Sequence, residues 1–487
     1  MDMAAPTVPY RTTAPPLPES DGHEDGSSGG MVLLDRWCLI ADLPNASTGV
    51  GTTSTGLRIQ ATFHPARPPL LSRFCVHCPG LDFRRVVPKI IASDADLVLL
   101  CVPVNPDSIA NARGLDYFVY RPRAHRLDLL PNPHPVYLHD SMTALLSRQD
   151  GAWYAVAALG LGPPVYKGGA PVSWDFYLHL YRSTSSSKGW TSKRLSVTEF
   201  IRDKFIPIPA SVDRLYHETG KTITVGGEGG TVAWVDLWRG IFLCDVLDEF
   251  PALRDIPLPC PARSNRDLFL IQYDPSYFRD VTISRNRDSI KYIEMEMWSP
   301  KEPMNTTSTP VSYVDCVLNN TRKSQVIRDD WKATTWSMPM PVIGSSCEHW
   351  HRDCEVGVKD ITLGASNPCR SNLSFSEIVE MFKELPMVNP TISMDDDVVF
   401  LLSRTSPSPM DKLHLVFAID VRKRTLQGLT KLDVQPQNSV CMVTLCTSEI
   451  CRYLRNITGN FSTLAIHHLV FLHVTICMNA MLAIFKI

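Results

Sequence analysis

The stretch His217–Leu247, HETGKTITVGGEGGTVAWVDLWRGIFLCDVL, decides how the rest of the chain is read. Lys221–Val225, Thr231–Leu237 and Ile241–Leu247 are rich in β-branched and aromatic residues, with Gly226–Gly230 and Trp238–Gly240 between them. Such runs suit a pleated, half-buried surface, and glycine reaches the positive φ angles of a close reversal without steric penalty. The stretch therefore predicts a β-meander, with Gly227, Gly229 and Gly230 making the turn and Trp234 and Trp238 as packing anchors.

Gly220-Lys221-Thr222 also spells the end of a phosphate-binding loop. That motif needs a glycine five positions earlier, where Leu215 stands, and a helix after the Lys-Thr pair to aim amides at phosphate. Ile223, Val225 and a glycine run follow instead, so the stretch reads as strand and turn.

Outward from this stretch, the same grammar recurs. DLVLLCVPV precedes DYFVYRPRAHRLDLLP, WYAVAAL precedes DFYLHLYRS and GWTSKRLSV, SIKYIEMEMW precedes WKATTWSMP, and VVFLLSR precedes LHLVFAIDVRKRTLQGLTKLD. Mid-strand positions Phe118, Leu178, Val235, Ile293 and Phe417 are separated by 60, 57, 58 and 124 residues. The last gap is close to two periods and places a degenerate unit near residue 355, in WHRDCEVGVKDITL. A period near 60 exceeds that of WD40 and kelch blades. The expected fold is mainly β and β-propeller-like, about six degenerate units with long connections, because radially packed sheets bury both faces of many half-polar strands. Packed β-sandwiches are the alternative. One helix is expected from Ser374, with Ile378, Met381, Phe382 and Leu385 on one face and Pro386 ending it.

The 487 residues carry 48 basic and 50 acidic side chains, a net charge of −2, so no global field favours nucleic acid. Residues 1–30, rich in Pro, Thr, Ser and Gly, have too little apolar surface to offset ordering and read as a disordered tail. Residues 31–455 read as the β-rich domain. No secretory signal opens the chain, so its 14 cysteines are expected reduced and the sequons at Asn45, Asn305, Asn319, Asn372, Asn456 and Asn460 unglycosylated. Residues 456–487 form an apolar tail. Leu464–Ile487 holds 18 Ala, Val, Ile, Leu, Met, Phe or Cys in 24, near the length of a membrane span, but His467, His468, His473 and Asn479 interrupt it.

Two clusters invite a metal reading. Cys347, His349, His351 and Cys354 lie within eight residues, and Cys75 and Cys78 have knuckle spacing with no second pair at finger distance. In an extended strand, alternate side chains stand nearly 7 Å apart, too far for one zinc without a tight loop. Asp395-Asp396-Asp397 lacks the alternation and distal glutamate of a calcium loop and reads as a solvated turn. No catalytic or cofactor-binding residue is assigned and no cofactor is expected; His217, Glu218, Asp236 and Asp245 are the groups that could converge in a central funnel.

These motifs, with LLDRWCLIADLPNAST, FCVHCPG, DWKATTWSMP and TISMDDDVVF, resemble over about residues 31–455 the plant family catalogued as domain of unknown function 1618, expanded in grasses. That resemblance implies no established activity, cofactor or catalytic residue. The family is loosely similar to the propeller-like associated domains of F-box proteins, but this chain has no F-box helix set before its β region. Family members tend to stop soon after the strand near Arg455. The expectation is a non-enzymatic protein-interaction module, cytoplasmic or nuclear, with an unknown protein partner and no nucleic acid. A funnel enzyme and a tail-anchored membrane protein, inserted through 464–487, are the alternatives.

Overall fold

Strand Leu97–Pro103 is buried along its whole length, and its side chains divide between two cores. Leu97, Leu99 and Cys101 join one apolar cluster; Val98, Leu100 and Val102 join another. Successive side chains of a strand point to opposite faces, so a continuous apolar run means a sheet covered on both sides. This is repeated around the molecule. The computed structural model describes residues 30–454 except 106, 108–113, 134–135, 137, 168–169, 185–188, 207–216, 272, 298–330, 342–348, 364–381, 383–384, 386, 405–412 and 434–444. The expectations for residues 1–29 and 456–487, for Cys347, for five of the six sequons and for most of the helix from Ser374 fall outside that range.

The strands, in chain order, begin with β1 (Val32–Asp35), β2 (Leu39–Ile40), β3 (Gly49–Thr52), β4 (Arg58–His64) and β5 (Leu71–His77). Five antiparallel meanders follow. Unit 1 is β6 (Lys89–Asp94), β7 (Leu97–Pro103), β8 (Leu115–Arg121) and β9 (Arg126–Leu129). Unit 2 is β10 (Thr143–Arg148), β11 (Trp153–Lys167), β12 (Ala170–Arg182) and β13 (Thr191–Val197). Unit 3 is β14 (Lys221–Gly226), β15 (Thr231–Asp236), β16 (Gly240–Asp245) and β17 (Ala252–Pro257). Unit 4 is β18 (Arg279–Ile283), β19 (Ser289–Met297), β20 (Trp331–Pro339) and β21 (His351–Gly357). After β22 (Thr362–Leu363), unit 5 is β23 (Met387–Ile392), β24 (Val398–Arg404), β25 (Leu413–Asp420) and β26 (Thr425–Asp433). Last comes β27 (Leu445–Ser448), which pairs with β1, Val32 opposite Ser448, to build unit 6 from both ends of the described chain.

The first strands β6, β10, β14, β18, β23 and β27 touch in sequence, which arranges the units around an axis. Each pair of neighbouring units shares an apolar core. Trp234 and Phe242 of unit 3 meet Phe176 and Leu178 of unit 2. Ala233 and Val235, on the other face of β15, meet Val281 and Tyr292 of unit 4. Phe417 and Val399 meet Ile293 and Trp331, and Phe400 and Val416 meet Leu33 and Leu71. Ile59 and Val76 of unit 6 then meet Val98 and Phe118 of unit 1. Among the described residues, five meanders and a sixth unit, in which β1 pairs antiparallel with β27 and parallel with β5, are packed on both faces and form a β-propeller-like ring. A two-layer sandwich would leave its outer sheet faces polar, and these are not.

The meander read from His217–Leu247 is unit 3. Gly226, Gly227 and Gly230 have φ of 89°, 74° and 64°; Gly229 does not, and a Cβ there would stand 3.0 Å from that of Asp245. No helix follows Thr222. The repeat register is corrected in two places. Phe118, Leu178 and Phe417 lie on third strands, whereas Val235 and Ile293 lie on second strands. The stretch near residue 355 is no separate unit: His351–Gly357 is the fourth strand of unit 4, paired to β20. Long insertions at 298–330 and 364–381 produce the wide gap.

Candidate functional site

The meander topology gives the ring two unlike faces. Turns joining first to second and third to fourth strands gather on one, the turn face; the longer crossovers gather on the other, the loop face.

At the centre of the turn face, the first hairpin turns of units 1, 2, 3 and 4 converge on a cavity of about 270 Å³ lined by Asp94, Asp96, Arg148, Asp150, Arg287 and Tyr453 among others. Ala95, Gln149, Asp150 and Arg287 all have positive φ, as tight hairpin turns require. Arg287 is the hub. Its Nη2 donates to Asp94 and to Glu449 Oε1 at 2.7 Å, and its Nη1 to the carbonyls of Thr224 and Val225 at 3.3 and 3.2 Å. Asp94 also accepts from the Ser147 amide at 2.7 Å. Burial pushes the Asp94 carboxyl above the usual range against the pull of Arg287. Burial likewise raises Asp96, whose Oδ2 lies 3.4 Å from Arg123 Nε.

On the loop face, units 3 and 4 carry a second charged network, this one dry. Arg202, on the short helix α1 (Arg202–Phe205), pairs with Asp255 at 2.5 Å and donates to His217 Nδ1 at 2.8 Å. Its guanidinium lies 4.2 Å over the Phe242 ring, on which the His217 imidazole also stacks at 4.2 Å. Because Arg202 can only donate, Nδ1 accepts and Nε2 carries the proton. Burial, then the charges of Arg202 and Arg239, push His217 well below the usual histidine range, so it is neutral. Arg239 donates to the Ile206 carbonyl at 3.1 Å and to Asp203 of α1. Arg279 donates to Glu294 at 2.8 Å and to the carbonyls of Leu237 and Trp238 at 3.0 and 3.2 Å, its guanidinium 4.6 Å over Trp238. Glu294 also accepts from Asn265 Nδ2 at 2.8 Å, beside α2 (Arg266–Leu270).

These bonds fix α1 and α2 over a small core of Ile206, Trp238 and Phe269. Outside that core the neighbouring side chains face solvent: Phe205 is 42 % exposed, Leu270 52 % and Ile271 71 %. Phe250 is 84 % exposed, but it sits on the turn face between β16 and β17.

Of the four groups that could converge, His217 bonds to Arg202, and Glu218 reaches Asp236 through its backbone amide. The Glu218 amide donates to Asp236 at 3.2 Å next to His217, while Asp245 lies at the other end of the unit, accepting from Thr231. Asp236 also accepts from the Trp238 and Arg239 amides at 3.0 and 3.1 Å, so it acts as a turn residue. Of the metal candidates, Cys347 lies outside the described residues. His351 is exposed on β21, and Cys354 donates to the Val421 carbonyl at 3.0 Å. Cys75 and Cys78 are buried, and burial pushes the Cys75 thiol up to about 11, which keeps it protonated. Among the described residues, no group of three or more His, Cys, Asp or Glu could hold a metal ion. Asp395 and Asp397 are a turn, as expected, though not a merely solvated one. Asp395 accepts from the Met31 amide at 2.8 Å, and Asp397 from Arg422 Nε at 2.6 Å. No described helix is long and apolar enough to cross a membrane.

The Arg287 hub and the apolar patch escaped sequence reading. The first joins residues 193 and 162 positions apart. The second shows no periodicity in the sequence.

No curated protein matches the chain. Among solved structures, the β-propeller domain of Myceliophteria thermophila Cps50 (Swd1) is similar at a TM-score of 0.28 and 7% identity, covering 70% of this chain and 84% of that one. A mutant β-fructofuranosidase of Microbacterium saccharophilum K-1 is similar at a TM-score of 0.20 and 9% identity, covering 85% of this chain and 60% of that one. The propeller-like assignment rests on the strand pairing and the shared cores. Residues 234–400, from β15 of unit 3 to β24 of unit 5, match the family described as "Protein of unknown function (DUF1618)".

Proposed function

We propose that this protein is a non-enzymatic interaction module that offers the loop face of units 3 and 4 to a protein partner. The supporting observation is the exposed set Phe205, Leu270 and Ile271, carried on two short helices that buried arginines hold in place. Exposed apolar side chains on a rigid support mark contact surfaces, since ordering them costs little on binding. The reading includes the plant setting implied by the family resemblance, a cytoplasmic or nuclear location, and no nucleic-acid partner. Its test is affinity capture from source tissue with the full chain, Ile271→Asp and Phe250→Ser. A partner kept by wild type and Phe250→Ser but lost by Ile271→Asp supports the reading; identical capture by all three refutes it.

A second reading, an enzyme at the turn-face mouth, draws on the raised carboxyls of Asp94 and Asp96. Against it, Asp94 is engaged by Arg287 and Asp96 faces Arg123. Turnover of model esters or glycosides by the wild-type chain, abolished in Asp96→Asn, would replace the interaction reading. For the tail, fractionation of the full chain beside a chain ending at Arg455 tests membrane insertion; equal behaviour eliminates it.

A further inference from the structure

We propose that β27 and the following helix α3 (Ile450–Leu454) form a detachable clasp, and that Arg287 decides whether the ring is closed or open at unit 6. In units 1 to 5, the first and second strands are joined covalently by a hairpin turn. In unit 6, the first strand is β27 and the second is β1, and four residue pairs hold them together. A ladder that short, with no covalent turn, is the place where local opening costs least.

Three contacts reinforce the ladder just beyond its end. Glu449, the first residue after β27, is 8 % exposed and pairs with Arg287 at 2.7 Å. Arg287 is in turn held by Asp94 of unit 1 and by two carbonyls of unit 3, so one guanidinium joins the clasp to units on both sides of the axis. Ile450 and Leu454, 0 % and 2 % exposed, complete the core between units 6 and 1. Arg123 lies 5.6 Å over the Tyr453 ring and closes the outer side.

Beyond its ladder the clasp is thus anchored by one charged pair, two apolar side chains and the Arg123–Tyr453 contact. Arg287 keeps 27% of its side-chain surface exposed and borders the open cavity, so the pair is reachable from solvent. Release of the clasp would uncover the core between units 6 and 1 on the turn face, while the loop face of units 3 and 4 keeps its own network. The inference is independent of the partner reading.

Hydrogen exchange read by mass spectrometry on the full chain tests it, with wild type, Glu449→Gln and Arg287→Met. Glu449→Gln keeps the Asp94–Arg287 pair and weakens the clasp alone. Loss of a charge-assisted hydrogen bond corresponds to roughly tenfold in a local opening equilibrium. Exchange in peptides covering 32–35 and 445–454 is expected to rise at least about tenfold in both variants, with β15 and β16 of unit 3 unchanged in Glu449→Gln. Unchanged exchange at the seam in Glu449→Gln overturns the proposal. A rise spread evenly over all units also overturns it, because the pair would then be a general stabiliser with no local role.

Discussion

Arg202 on the loop face and Arg287 at the turn-face mouth do similar chemistry in different surroundings. Arg202 has no exposed side-chain surface and pairs with an equally buried Asp255. Arg287 is 27% exposed and shares its charge between two carboxylates beside an open cavity. Desolvating both ions of a pair costs nearly as much as their attraction returns, so the dry pair adds little net stability but punishes removal of one partner. The open pair costs less to form and less to break. The loop face is therefore built to stay as it is, and the mouth to yield.

The largest expected effect sharpens that contrast. Arg202→Ala leaves Asp255 charged and buried, with an expected loss of about 3–5 kcal/mol in urea unfolding. Replacing both, Arg202→Met with Asp255→Leu, should recover most of it; a double variant as unstable as the single one would break the comparison. Trp234→Ala, at the core between units 2 and 3 and without its bond to the Met142 carbonyl, should cost about 3–5 kcal/mol by the same measurement.

Two pH effects come next and have opposite signs. His217 is held below its ordinary pKa, so the unfolded chain binds a proton that the folded one refuses. Its stabilising contribution is complete above about pH 6.5 and is lost as pH falls below that value, by up to about 1.4 kcal/mol per pH unit. His217→Gln should flatten the decline between pH 7 and pH 5. Asp35, next to β27, is pushed up from 3.8 to about 6 by burial, against the Trp37 amide and Arg73. Here the folded chain holds the proton more tightly, so stability is complete below pH 4 and lost as pH rises to 6. Asp35→Asn should stabilise by about 1–2 kcal/mol at pH 8 and by nothing at pH 4, the range allowing for partial solvent screening. Equal gains at both pH values would contradict that origin.

The smallest effect is Phe250→Ser, on the turn face and 84 % exposed, which should change stability by less than about 0.5 kcal/mol in thermal unfolding.

What the sequence disclosed follows the range of the interactions. Leu97–Pro103 and Thr231–Asp236 are legible because a strand covered on both sides is a continuous apolar run, and Gly226–Gly230 because a tight turn needs positive φ. Unit 6 was invisible: its defining pair, Val32 with Ser448, joins opposite ends of the described chain, and no local pattern carries that partner choice. His351–Gly357 has the strand texture of a separate unit but belongs to unit 4. The charged networks were hidden for the same reason. Arg287, Asp94 and Glu449 are each ordinary in sequence, and so are Arg202, His217 and Asp255.

The meeting of β1 and β27 has a use in protein engineering. Their outer ends, Val32 and Ser448, face each other across one ladder, and the Met31 amide is already tied to Asp395 beside them. A short linker from Leu454 to Gly30 would convert the borrowed strand into a continuous hairpin-like connection, and new termini could be cut at Gln149–Gly151, a hairpin turn of unit 2. Such a circular permutant would move the point of entry and exit of the chain away from unit 6 while keeping every inter-unit core, and would give the seam a covalent connection like those of units 1 to 5.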